Sequence, residues 1–313
     1  MLSRIADSMF WLNRYVERSE GLLRLLHTSY VLSLDKGPYG INTWRPILQI
    51  FAGLPEESIA RLENKPAEAV HLLLLDTGNL NSLKVNLNRA RENARGMQDH
   101  ITKEVWEQVN HMYHLINNPK TEIQLKHNDA LAAIETLLKN CLLYTGITDS
   151  TMPRGMSWSF MNMGKYIERC LLSIELTDKH YQTIGYDMTR SKDILYWRSL
   201  LFSLSGYEFH LKNYRSTDYN YNVAHQVIFN QQFPHSIMYS LVRLKKYLDD
   251  AVKENNPSEK YTLLKQFGRL YSNVEFADFD WIKRSGMPEY LQETRSNLLQ
   301  FSRALSQSFF SYS

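Results

Sequence analysis

The stretch SRIADSMFWLNRYVERSEGLLRLLHTSYVLS, Ser3 to Ser33, decides the fold class. Ile5, Met9, Leu12, Val16, Leu23 and Leu26 recur at three- and four-residue spacing, the period of one helical face. The same spacing returns in Leu131, Ile134, Leu138 and Leu142, in Phe160 through Ile174, in Ile237 through Leu248, and from Leu291 to Phe310. No stretch alternates apolar and polar residues between turn signals as strands do. With 13 Gly and 9 Pro in 313 residues, punctuation is sparse and elements are long. The spacing predicts long helices near 3–33, 79–116, 122–144, 153–184, 234–254 and 285–311. Shorter ones are predicted near 42–52, 66–75, 191–205, 220–230 and 257–271. The fold class is all-α, a bundle of about ten or more helices.

A second signal lies inside that first helix. Glu-Arg occurs only twice, as Tyr15-Val16-Glu17-Arg18 and Tyr166-Ile167-Glu168-Arg169, 151 residues apart. Trp-Arg also occurs only twice, at Trp44-Arg45 and Trp197-Arg198, 153 apart, and Gly53 matches Gly206 at that offset. Ser82 and Arg89 match Ser236 and Arg243, 154 apart. Rare pairs in one order with a slowly drifting offset indicate duplication, with copies near 1–150 and 152–313. Asp149-Ser150-Thr151-Met152-Pro153 reads as a polar cap with Pro in the first turn of the next helix, not as a linker. The expectation is one helical domain over 1–313 with pseudo-twofold repeats that share a core.

Composition excludes several function classes. A net charge of +3 gives no footprint for nucleic acid. Cys141 and Cys170 read as reduced thiols of a cytoplasmic protein. The N-terminus has no basic region followed by an apolar block, and no run of about 18 apolar residues stands out, so neither export nor a membrane span is expected. Phosphate-cradling and nucleophile-elbow motifs are missing, so no cofactor is expected. Glu107, His111 and His114 have metal-ligand spacing but read as a solvated helix face, so no metal is expected either.

The candidate site is the duplicated pair. On a helical wheel Arg18 lies off the main apolar stripe, beside Trp11, Leu22 and Leu25, with Asp7 and Arg14 near; Arg169 stands likewise among Trp158, Asn162, Ser173 and Leu176. Such a side is too apolar for free solvent. A guanidinium held there needs a carboxylate, a carbonyl or a bound anion. Two roles are open: an interhelical staple, or a symmetric pair of arginines that clamp an anionic ligand. Glu17 and Glu168 are the candidate acid-base residues if the chain is an enzyme. Arg89, Arg91, Glu92, Arg95 and Asp99 form a second charged cluster, read as a solvated ladder or as an addition to the same site. Arg14, Arg91 and Arg95 are expected to be less buried than Arg18 and to serve anion or partner binding.

These residues carry a family signature. Met1-Leu2-Ser3-Arg4, Phe10-Trp11, Arg14 to Arg18 and Glu20 resemble the alpha-E family, bacterial helical domains known by their Glu-Arg motif. So do Ala90 to Arg95, Trp106-Glu107, Gly146 to Met152, Trp158-Ser159-Phe160, Gly164 and Tyr166 to Arg169. The resemblance is weaker at Tyr214–Tyr221 and around 270–290. It implies the company of circularly permuted ATP-grasp proteins, with transglutaminase-like peptidases and N-terminal nucleophile hydrolases nearby, hence a pathway of peptide ligation or modification. The resulting expectation is an accessory partner of an ATP-grasp ligase. The alternative is a helical enzyme of the same pathway. By the same resemblance Arg4, Trp11, Tyr15, Glu92, Trp158 and Tyr166 are supporting residues.

Overall fold

A computed structural model describes residues 3–33, 44–126, 130–189, 192–253 and 260–310. The first residues of the helices expected at 42, 191 and 257, the last of those expected to end at 254 and 311, residues 127–129 of the one expected at 122–144, and Met1-Leu2 of the signature lie outside these. The described residues hold sixteen α-helices, one short 3-10 turn and no strand. In chain order the first eight are α1 (Ser3–Ser33), α2 (Arg45–Phe51), α3 (Glu56–Leu62), α4 (Pro66–Leu74), α5 (Leu83–Arg95), α6 (Lys103–Ile116), α7 (Pro119–Lys126) and α8 (Ala130–Thr151). The rest are α9 (Met156–Gln182), α10 (Ile194–Ser203), α11 (Tyr207–Asn213), α12 (Tyr219–Ile228), α13 (Ile237–Lys253), α14 (Tyr261–Glu275), α15 (Phe279–Ser285) and α16 (Met287–Phe309). The chain divides into an N-terminal unit, Trp11–Met161, and a C-terminal unit, Asn162–Ser313 with Met1–Phe10.

Residues 3–151 and 156–309 have the same element order: one long helix, three short ones, then four more. The buried positions repeat with it. In α4, Ala69, Val70, Leu73 and Leu74 are buried, and in α12 so are Val223, Ala224, Val227 and Ile228, each 154 residues on. All five buried positions of α5 recur in α13 at that offset. The seven of α8 recur in α16 at an offset of 157, with Cys141 matched by Leu298 and Tyr144 by Phe301. Burial pattern, set by which face meets the core, outlasts residue identity.

Four readings need correction, the first being the helix expected at 122–144: it is α7, Pro119–Lys126, and α8, which begins at Ala130 and runs on to Thr151, with 127–129 outside the described residues. The stretch 79–116 is two helices, because Gly96 ends α5 and the Thr102 hydroxyl caps α6 by accepting from the Val105 amide. Met97 and Ile101 are buried between them, so the apolar period runs through the break. Residues 149–151 are the end of α8, not an entry: the Ser150 and Thr151 hydroxyls donate back to the carbonyls of Gly146 and Ile147. Pro153 stops that helix by disfavouring helical backbone before it. Gly53 and Gly206 are both glycine for different reasons. Gly53 has φ +62°, whereas at Gly206 a Cβ would meet Phe233 Cζ at 2.6 Å and Gln226 Nε2 at 2.7 Å.

One further difference concerns α8. It is long and apolar enough, at mean hydropathy 1.2, to cross a membrane by length and composition, where the sequence reading found no such stretch. Its apolar residues serve two faces. Ile134, Leu137, Cys141 and Tyr144 are buried, while Leu142 and Leu143 are exposed.

Candidate functional site

In the N-terminal unit α1 is packed on two faces, as the position of Arg18 requires. Leu12, Val16, Leu23 and Leu26 are buried on one stripe, and Leu22 and Leu25 are buried on the side of Arg18. Between them runs a polar line, Asn13, Glu17, Glu20, Arg24 and His27, at heptad-like spacing. This line meets α8. The buried Tyr144 hydroxyl donates to Asn13 Oδ1 at 2.6 Å, and His27 Nε2 lies 3.4 Å from Glu135 Oε1. Arg24 pairs with Glu20 at 2.7 Å inside the unit. Burial, then the Glu20 and Glu17 carboxylates, push the Cys141 thiol far up, with Arg24 opposing. Glu17 therefore sits within electrostatic reach of α8 and is only 5% exposed.

Arg18 points to the turn ahead of α5. Its Nη1 donates to Asn81 Oδ1 at 2.8 Å. That turn is built by side-chain acceptors: Asp76 Oδ1 takes the Gly78 amide, Asn79 Oδ1 takes the Asn81 amide, and Ser82 Oγ caps α5 through the Val85 amide. Arg89 returns from α5 to donate to the Leu80 carbonyl at 3.4 Å, with its guanidinium 5.9 Å from the Tyr15 ring. Two arginines thus converge on residues 80–81.

The C-terminal unit repeats the device. Asn230 Oδ1, 154 residues after Asp76, takes the Gln232 amide at 2.9 Å, and Ser236 Oγ caps α13 through the Tyr239 amide at 2.8 Å. Arg169 Nη1 donates to the Pro234 carbonyl at 3.4 Å, and Ser173 Oγ donates to the His235 carbonyl at 2.8 Å. Arg243 lies 5.1 Å from the Tyr239 ring and Arg169 lies 5.5 Å from Tyr166. Tyr166 stacks on Tyr247 at 5.9 Å. Burial pushes the Tyr166 phenol up, and the Arg169 and Arg243 guanidiniums oppose it. Arg169 is buried on a carbonyl as expected. Arg18 is half-buried and takes an amide oxygen.

The other candidates scatter. Arg14 is 7% exposed and packs 4.8 Å over Trp11, which stacks on Tyr15, so it is more buried than Arg18 rather than less. Its guanidinium lies over the aromatic face, which the charge alone does not reveal. Arg91 turns to α6, donating to Asn110 Oδ1 at 2.7 Å with its guanidinium 4.4 Å from the Tyr113 ring and 5.8 Å from Trp106. Arg95 pairs with Glu92 at 3.7 Å and has a 62% exposed side chain. The α5 helix does add to the turn at 80–81, through Arg89, a member of the second charged cluster as well as a repeat anchor, and not through Arg91 or Arg95. Arg4 is exposed, and Trp158 carries the Arg154 guanidinium at 3.8 Å. Glu107, His111 and His114 are all exposed, and among the described residues no three His, Cys, Asp or Glu side chains are placed to hold a metal.

Chemically, each guanidinium fixes a long helix to the cap of a neighbouring one, and each adjacent glutamate is buried: Glu168 is 6% exposed. The family described as Alpha-E, a predicted alpha-helical domain with a conserved ER motif, matches residues 1–310. The uncharacterised protein Mb2597 of Mycobacterium bovis is 22% identical over 311 residues, covering 93% of this chain and 34% of that protein. The uncharacterised protein Rv2567 of Mycobacterium tuberculosis is 21% identical with the same coverage. The chain thus spans about a third of the length of these relatives. No solved structure matches it. With Glu17-Arg18 and Glu168-Arg169 as its two ER pairs, the chain belongs to the Alpha-E family.

Proposed function

We propose that the chain is an accessory protein of an ATP-grasp-type peptide or amide ligation system in the cytoplasm, binding the ligase or its anionic substrate and doing no chemistry of its own. The observation that carries this reading is the burial of Glu17 and Glu168, at 5% and 6% exposure. A general acid or base must reach its substrate within hydrogen-bond distance, from a cleft. Carboxylates closed off beside arginines that brace helix caps suit a scaffold instead. The exposed Arg95 and the aromatic-backed Arg91 are the better groups for meeting an acidic partner surface. The circularly permuted ATP-grasp protein is the proposed direct partner, and a transglutaminase-like peptidase acts in the same pathway.

The test is ATP turnover by the purified chain, and by the ATP-grasp protein with and without it. The chain alone gives no turnover, and Glu17→Gln leaves the partner's stimulated rate unchanged when the fold is intact. Hydrolysis or transfer by the isolated chain, abolished in Glu17→Gln, would overturn the reading.

A further inference from the structure

Three phenols of the C-terminal unit come together where α9 meets α13. Tyr166 stacks on Tyr247 with ring centroids 5.9 Å apart and lies 6.3 Å from Tyr239. Two guanidiniums join them: Arg169 is 5.5 Å from the Tyr166 ring and Arg243 is 5.1 Å from the Tyr239 ring. Arg169 spends one N–H on the Pro234 carbonyl. Arg243 is half-buried and donates to the Tyr239 phenol oxygen, and the groups that act on its charge are Tyr239, Tyr166 and Tyr247. All three are neutral phenols at pH 7. Among the described residues no Asp or Glu pairs with Arg243, Asp249 and Asp250 of the same helix included. Two positive charges on one ring cluster repel each other, and a half-buried guanidinium without an anion keeps a desolvation cost that nothing offsets.

Tyr166 supplies the second observation. It is 8% exposed, yet its hydroxyl makes no hydrogen bond among the described residues. The sealed polar side-chain atoms without a partner belong to Asn86, His210 and Tyr290, so the Tyr166 hydroxyl holds part of the surface that its residue keeps. A tyrosine buried this far ordinarily bonds its hydroxyl. This one is an unused donor within electrostatic reach of both Arg169 and Arg243.

The duplication offers a comparison. Tyr15, Arg18 and Arg89 hold the matching positions of the N-terminal unit, but Val85 and Asn93 stand where Tyr239 and Tyr247 do. There Arg89 is exposed and donates to the Leu80 carbonyl, and the Asn93 side chain donates to the Arg89 carbonyl. The phenols that half-bury the second arginine are confined to the C-terminal unit.

We propose that Arg243 and the Tyr166 hydroxyl bind a carboxylate. The guanidinium fork meets both of its oxygens and the phenol donates to one of them, while Arg169 adds its charge nearby. A carboxylate suits these donors better than a phosphoryl group, because they are one planar fork and one hydroxyl. The Tyr239 amide at the start of α13 is already taken by Ser236 Oγ. The assignment rests on the accessory reading in giving its anionic substrate a place. Binding is measured without an ATP-grasp protein, so its failure leaves docking through Arg91 and Arg95 standing.

The probe is N-acetylphenylalanine, titrated into the full chain at low salt and followed by the proton line widths of the ligand, against its uncharged amide and phenyl phosphate. The expected result is saturable binding of the carboxylate with Kd of about 5 mM or tighter, none of the amide, and phenyl phosphate no tighter than the carboxylate. Arg243→Gln weakens binding by about fivefold or more. Tyr166→Phe weakens it about threefold with the melting temperature unchanged, because the hydroxyl makes no bond within the fold. Arg89→Gln, the counterpart in the N-terminal unit, leaves it unchanged. No saturation by about 50 mM ligand overturns the assignment. So does equal binding of the amide, tighter binding of phenyl phosphate, or full affinity in Arg243→Gln. Loss of binding in Arg89→Gln does the same by moving the site to the other unit, and a lower melting temperature in Tyr166→Phe does so because the hydroxyl would already be bonded.

Discussion

Replacing Asn81 by alanine isolates what the first Glu-Arg motif does for the fold. Asn81 uses its backbone amide for Asn79 Oδ1 and its carbonyl for the Asn86 side chain, and both survive the substitution. Only the Oδ1 acceptor for Arg18 is lost. A hydrogen bond to a charged group contributes about 1.5–3 kcal/mol, and the half-exposure of Arg18 lets water recover part of it, leaving about 1–2 kcal/mol. For a unit of this size that is a fall of about 2–8 °C in thermal midpoint. Asn81→Asp keeps the acceptor and adds an opposite charge, so its midpoint at pH 7 is at or above that of the parent. That gain disappears as the new carboxyl protonates in acid. The assay is calorimetric unfolding of the three proteins at pH 7 and pH 4. Equal midpoints for the parent and Asn81→Ala, with no gain in Asn81→Asp, would refute the staple.

Tyr144→Phe strands the buried Asn13 Oδ1 and lowers stability by about 1–3 kcal/mol in urea unfolding; no change would mean the α1–α8 contact is not made. Burial lowers the pKa of His180, His210 and His225, all in the C-terminal unit, below the ordinary 6.5. The unfolded chain then binds protons first, so their contribution is intact above about pH 6.5 and is lost as pH falls through the folded values. Hydrogen exchange at pH 5.0 against 7.5 is expected to loosen that unit first; earlier loosening of the N-terminal unit counts against it. Cys141 and Cys170 are buried and their thiols are pushed up, so a thiol reagent reads none in the native chain and two after denaturation. Fast labelling of the native protein would contradict the packing of α8 and α9.

Most of the helical architecture was legible because it rests on periodicity. Over the described residues α1 fills the 3–33 span read from the sequence, and the ends of α9 and α16 and the start of α13 lie within three residues of expectation. What was missed is short. α3, α11 and α15 have seven residues each, too few for a 3.6-residue period to stand out from loops. The rare pairs marked a repeat in the sequence and the leucines did not, although the seven buried positions of α8 recur in α16. In the site, the sequence found the arginines but not their acceptors. Pro234 acts through a carbonyl and Asn81 through one amide oxygen in a turn, and neither type signals a partner for a guanidinium. Arg14 misled because Trp11, one turn earlier, shields a charge that composition counts as exposed. A cavity lined by α14, α15 and α16 left no pattern in sequence, since its walls come from three helices.

The account turns on whether this chain engages an ATP-grasp protein through a surface and not through a catalytic centre. The direct measurement is calorimetric titration of the cognate ATP-grasp protein into the intact chain, and into a chain with Arg91→Glu and Arg95→Glu. A saturable complex with Kd of about 10 µM or tighter is predicted, weakened about tenfold or more by the charge reversals; Arg91→Glu also loses its Asn110 bond and Tyr113 contact, so the comparison is made below the melting transition of the variant, where circular dichroism shows it folded. No heat of binding at micromolar protein and modest salt would contradict it, as would a complex indifferent to both reversals.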